Sequence, residues 1–185
     1  MKTRLRKILG YALLALAAFS WLPAVTHAGD TTTDSEESAF LALINQFRVQ
    51  NGAGPLQVSA ALANSAHWMS NDMATKDYAS HTDSLGRDVH TRITAFDYRN
   101  STWGENIAGG FPDAQRAFDE WETACDPDAS GACTYAHRTN MLNPSFRVIG
   151  IGRVYRAGST YRWYWTTDFG GESTTTVTAG RAKHR

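Results

Sequence analysis

Three side chains able to do chemistry stand where helix-like or strand-like patterning stops: His81, Glu105 and His137. Ends of elements are where binding and catalytic groups usually sit. Two neutral imidazoles and a carboxylate would suit a divalent transition metal, zinc first, with one position left open for water or a ligand. Against a metal, the two histidines lack the His-x-x-x-His register that sets two ligands on one helix face. The same three groups also suit a strut without turnover, in which Glu105 accepts hydrogen bonds from the imidazoles and holds two layers together. Nucleophilic hydrolysis needs a Ser or Cys within reach of a base, and an oxyanion pocket. Ser80 and Ser84 flank His81 in the chain, yet neither lies in a Gly-x-Ser-x-Gly elbow.

The elements that must position these groups read in order along the chain. Asp34 and Glu37 occupy the cap and N3 positions of a capping box. Phe40, Leu41, Ile44 and Phe47 then recur at helical spacing, and Asn51-Gly52 with Gly54-Pro55 supplies a stop, which predicts a helix over 35–50. Ser59 caps a second helix with Leu62, Ala66, Met69 and Met73 on one stripe, the methionines as core filler. The polar segment 80–86 places His81 in a loop, and 87–95 reads as a third helix carrying Val89 and Ile93. Residues 103–110 suit a short strand. Pro112 marks the first turn of a helix whose inner face is Ala114, Ala117, Phe118 and Trp121. A brief helical turn over 137–142 ends at Asn143-Pro144. Residues 148–155 and 161–169 form a β-hairpin. Helices first and strands last point to an α+β fold with helices on an antiparallel sheet.

The first 28 residues have a basic start, an apolar run from Ile8 to Leu22 and small residues at Ala24 and Ala28, the layout of a signal peptide cut after Ala28. The run is shorter than the roughly 20 residues of a membrane span. The expected organisation is a signal peptide at 1–28, a leader at 29–34, one domain at 35–170 and a tail at 171–185. Cleavage removes four cations and no acid, leaving 14 basic against 18 acidic residues. Without clustered cations a nucleic-acid partner is excluded. The expected product is secreted, extracellular or periplasmic, monomeric and without a membrane span. Trp68, Trp103, Trp121, Trp163 and Trp165 are available to anchor its core. Export places Cys125 and Cys133, eight apart, where disulfides persist, and they are expected to pair. Closing so short a loop contributes roughly 2–3 kcal/mol.

Ser80-His81-Thr82-Asp83, Trp103-Gly104-Glu105-Asn106-Ile107-Ala108 and the 137–144 string beginning His137-Arg138-Thr139-Asn140 follow one another. Ile149-Gly150-Ile151-Gly152 and Tyr164-Trp165-Thr166-Thr167-Asp168-Phe169-Gly170 come after them. Together these strings resemble the CAP superfamily of cysteine-rich secretory proteins, antigen 5 and plant pathogenesis-related proteins, its bacterial secreted branch above all. The resemblance implies a three-layer α-β-α sandwich with His81 and His137 facing across a cleft and Glu105 between them. The ligand types at this cleft make zinc or another divalent cation the expected cofactor, with those three residues as ligands. The second acid of eukaryotic members falls at Ala124 and is not carried over. Three functions stay open: a binding or interaction module for an extracellular protein, glycan or lipid; a metal-dependent or serine hydrolase; and a lipid or sterol carrier.

Overall fold

Asp34 begins the fold by accepting a hydrogen bond from Glu37 N (2.8 Å) while Glu37 Oε2 accepts from Asp34 N (3.0 Å), the reciprocal capping box of helix α1, Ser35–Gln50. In this computed structural model residues 34–171 are described. The expected signal peptide lies outside them, as do the leader before Asp34 and the tail after Gly171. The further helices are α2 (Ala60–Lys76), α3 (Val89–Ala95), α4 (Ala114–Thr123) and α5 (Ala136–Leu142). Ser59, Asp88 and Asp113 cap α2, α3 and α4. The strands are β1 (Gln57–Val58), β2 (Trp103–Gly109), β3 (Val148–Tyr155) and β4 (Trp163–Gly170).

The sheet runs β1-β3-β4-β2, with β3 antiparallel to β4 and β4 antiparallel to β2. The two-residue β1, which carries no sequence signal, adds to β3 in parallel. Alternation along β3 sends Ile149 and Ile151 to one face, among Phe40, Phe47, Phe118, Trp121 and Trp165, so α1, α4 and α5 form one outer layer. Val148 faces the other side with Leu62, Val89 and Ile93 of α2 and α3. On that side a Cβ at Gly150 would lie 2.0 Å from the backbone of Leu62, and one at Gly152 would lie 2.4 Å from that of Ala66. Helix α2 therefore rests directly on the main chain of β3. The α+β class and the three-layer architecture are both present.

Several boundaries differ from expectation. Helix α3 starts at Val89, because Arg87 Nε is held by Asp83 (2.7 Å) in the preceding loop. Pro112 precedes the cap of α4 instead of filling its first turn. Strand β4 begins at Trp163, after Arg162 takes a positive φ of 65°. Trp121 and Trp165 anchor the core, but Trp103 is 41% exposed and stacks on His90. Cys125 and Cys133 are joined.

Candidate functional site

His81 reaches its position through an acid that belongs to α2. Buried Asp72 accepts hydrogen bonds from the Tyr78 hydroxyl, from Ser84 N (2.8 Å) and from Ser84 Oγ (2.7 Å), which ties the His81 loop to the helix at both ends. Burial alone would raise the pKa of Asp72, but the Ser84 and Tyr78 donors overcome it and hold the group below its ordinary value. Asp83 closes the loop by accepting from Leu85 N, Arg87 N and Arg87 Nε. On this frame the His81 side chain is 54% exposed, and its Nδ1 lies 2.7 Å from Glu105 Oε1. That contact leaves Nε2 as the free ring nitrogen.

Glu105 is buried on β2, and its other oxygen accepts from Arg92 Nη2 of α3. Arg92, itself fully buried, also donates to the main-chain oxygen of His81 (3.2 Å). Asp168 stands opposite Glu105 in the β2–β4 register, 4.0 Å from Arg92 Nη2. Burial, then the charge of Glu105, pushes the Asp168 carboxyl well above the usual carboxylate range, with Arg92 and Ser65 pulling the other way.

His137 comes from α5, which is tied to β2 through Asn140 and Asn106. It sits in the first turn of α5 behind Tyr135, whose φ is 51°, and its ring stacks on Trp121 with centroids 6.3 Å apart. Trp121 Nε1 donates to Ile107 O (3.1 Å), and Asn140 Nδ2 donates to Glu105 O (3.1 Å), so two side chains cap outward carbonyls on the free edge of β2. Asn106 Nδ2 in turn donates to His137 O (3.0 Å). The His137 Nδ1 lies 3.2 Å from Asp126 Oδ1 in the disulfide loop, off the line of a hydrogen bond. Burial lowers the His137 pKa; Asp126 and Glu120 oppose this, and the neighbouring His81 adds to it. The two histidines thus feel one another across the β2 edge. Of the two histidines Glu105 contacts only His81, and Ala124, where a second acid was lacking, is the C-cap of α4.

The expected ligand set of His81, Glu105 and His137 is not gathered around one ion site: His81 and Arg92 engage the Glu105 oxygens, and His137 makes no contact with Glu105. Among the described residues no group of three His, Cys, Asp or Glu is placed to hold a metal. Neither serine meets an imidazole: Ser84 Oγ is on Asp72, and Ser80 Oγ accepts from Thr82 N. Sequence reasoning passed over Arg92, Asp126, Asp168 and Asp72. Arg92 follows Val89 by three, on the inward stripe of α3. Asp168 interrupts an apolar strand. Those were readable signals; Asp126, in a Gly/Asp/Ser-rich loop, gave none.

Residues 41–169 match the model of the cysteine-rich secretory protein family, CAP. The chain belongs to this family. The CAP chain is 31% identical over 156 residues to the uncharacterised protein YkwD of Bacillus subtilis (strain 168), covering 81% of this chain and 55% of that one, so it spans about half the length of that curated relative. Its fold is similar to an extracellular SCP-domain protein from Bacillus anthracis, with 24% identity, TM-score 0.59, 73% of this chain and 40% of that chain. An outer surface protein from Borrelia burgdorferi has the same fold at 18% identity and TM-score 0.63, covering 76% of this chain and 95% of that chain. No helix among the described residues is long and apolar enough to cross a membrane.

Proposed function

We propose that this CAP protein is an exported binding module whose recognition groups are His81 and the Trp121-backed His137 along the β2 edge. The observation that carries the reading is the engagement of Glu105: its oxygens are held by His81 and Arg92, and its main-chain oxygen by Asn140. A carboxylate so engaged serves to orient His81, and among the described residues neither Ser80 nor Ser84 stands ready as a nucleophile for an imidazole. The same contacts disfavour a resident cation, since an ion reaching Glu105 would have to displace Arg92 or His81. Export is supported by the signal-peptide layout and by the extracellular and outer-surface proteins among the structural neighbours.

Calorimetric titration with zinc, for the wild type and the His81→Ala/His137→Ala double variant, is expected to show no tight one-to-one binding in either. Casein hydrolysis that disappears in a folded His137→Ala variant would replace the binding reading with a hydrolase. Mass spectrometry of the exported protein is expected to find Gly29 at the N-terminus. Lipid carriage has one supporting observation, a groove of about 400 Å³ between α1 and α4 where Ala39, Ala42, Leu43 and Ala114 stand beside the polar Glu36, Gln46, Asp113 and Gln115. A fluorescent fatty acid held equally by wild type and the double histidine variant would favour that carrier reading.

A further inference from the structure

We propose that Asp168 is a protonated carboxylic acid that donates its hydrogen to Glu105, a positioning residue that fixes the carboxylate on which His81 is oriented. The inference rests on the contacts of Glu105 and holds whatever the cleft binds. Asp168 is fully buried, and both of its oxygens lack a formed hydrogen bond. Its position opposite Glu105 falls on a pair whose main-chain groups point away from each other. On either side, Gly110 N donates to Trp163 O and Gly171 N to Thr102 O, and the Glu105 carbonyl itself turns outward to Asn140. In such pairs the side chains come closest. Two buried carboxyl groups face each other there, and the one cation beside them, Arg92, contacts Glu105 but lies 4.0 Å from Asp168.

The charged and titratable groups around Asp168 decide which one. Glu105 on β2 has Arg92 of α3 in direct contact and His81 of the loop beyond it. Asp168 on β4 has Arg92 only at 4.0 Å, and the α2 side offers the uncharged Ser65 hydroxyl, which is also buried with no hydrogen bond formed. One buried guanidinium cannot neutralise two buried carboxylates, and closely placed acids do not both ionise. The nearer contacts leave the negative charge on Glu105 and the proton on Asp168. Burial and the adjacent charge of Glu105 act on the Asp168 carboxyl in the same sense. The added hydrogen bond completes the coordination of Glu105 from behind, which opposes rotation of its side chain away from His81.

The test is carbon-13 NMR of the side-chain carboxyl of Asp168 in the folded wild-type protein, followed across about pH 5 to 8. The expected result is a single resonance at the position of a protonated acid, without titration over that span. In a Glu105→Gln variant the competing charge is gone and Arg92 is free to pair with Asp168, so the resonance is expected to move to the carboxylate position. An Asp168 resonance at the carboxylate position in the wild type at neutral pH would overturn the proposal. Asp168→Asn, which keeps a donor toward Glu105, is expected to preserve the His81 to Glu105 hydrogen bond, read from the His81 Nδ1 proton, whereas Asp168→Ala weakens it. Equal loss of that signal in both folded variants would refute the positioning role; if either variant does not fold, the wild-type resonance decides alone.

Discussion

His137 lies against Trp121 with its pKa lowered by burial, while His67 of α2, 2.9 Å from the fully buried Glu37, has its pKa raised chiefly by that hydrogen bond. The stability contribution of His137 belongs to its neutral form. It is complete above the ordinary histidine value of about 6.5 and is lost as pH falls through the lower folded value. The contribution of His67 is complete below about 6.5 and is lost as pH rises through its raised folded value. Urea unfolding should therefore show that His67→Ala costs more stability at about pH 5.5 than at about pH 8, with the reverse order for His137→Ala. Asp126→Asn should lower the His137 titration midpoint further in a proton NMR titration, since Asp126 is the largest influence holding it up. An unchanged midpoint would remove Asp126 from the site. His81 and His137 were readable because each ends an element. Arg92 and Asp168 left readable marks, a charge on an inward helix stripe and an acid in an apolar strand, but that both approach Glu105 is a product of folding, and Asp126 left no mark.

The contact between α2 and the sheet depends on what is missing from β3. Leu62, Ala66, Met69 and Met73 were legible as a stripe, and each is buried. The glycines at 150 and 152 could be read as a motif but not as a seam, because which backbone approaches them is a property of the packed layers. A methyl group at Gly150 would lie 2.0 Å from the main chain of Leu62, with no flexible side chain to give way. Gly150→Ala is expected to destabilise by about 3 kcal/mol or more, at or beyond the upper end of ordinary overpacking, and to lower the thermal midpoint sharply. A near-wild-type melting curve would contradict direct seating of α2 on β3. By comparison, Asp34→Ala removes the α1 capping box and should cost only ~1 kcal/mol, measured in the same denaturation assay.

Across the whole molecule, the order of the longer elements followed from periodicity and caps, since α1, α2 and β3 each carry a strong local signal, whereas the two outer layers were implied by the family resemblance. The parallel β1 did not, because two residues hold no pattern, and Trp103 was misplaced because size alone does not decide burial. The Cys125–Cys133 bridge closes a loop of mostly exposed residues, so replacing both cysteines with serine should cost roughly 2–3 kcal/mol in global stability while leaving the native circular-dichroism spectrum. The same change should raise amide hydrogen exchange around Asp126 and leave α2 protected. This contrast follows from the glycine seam. Backbone laid against backbone has no rotamers through which to relax, so α2 and the His81 loop that Asp72 ties to it move with the sheet as one stiff body. The α5 turn carrying His137 is moored by stacking on Trp121 and by the short disulfide loop. In the binding reading proposed above, any breathing around the two imidazoles is therefore one-sided and comes from the α5 side.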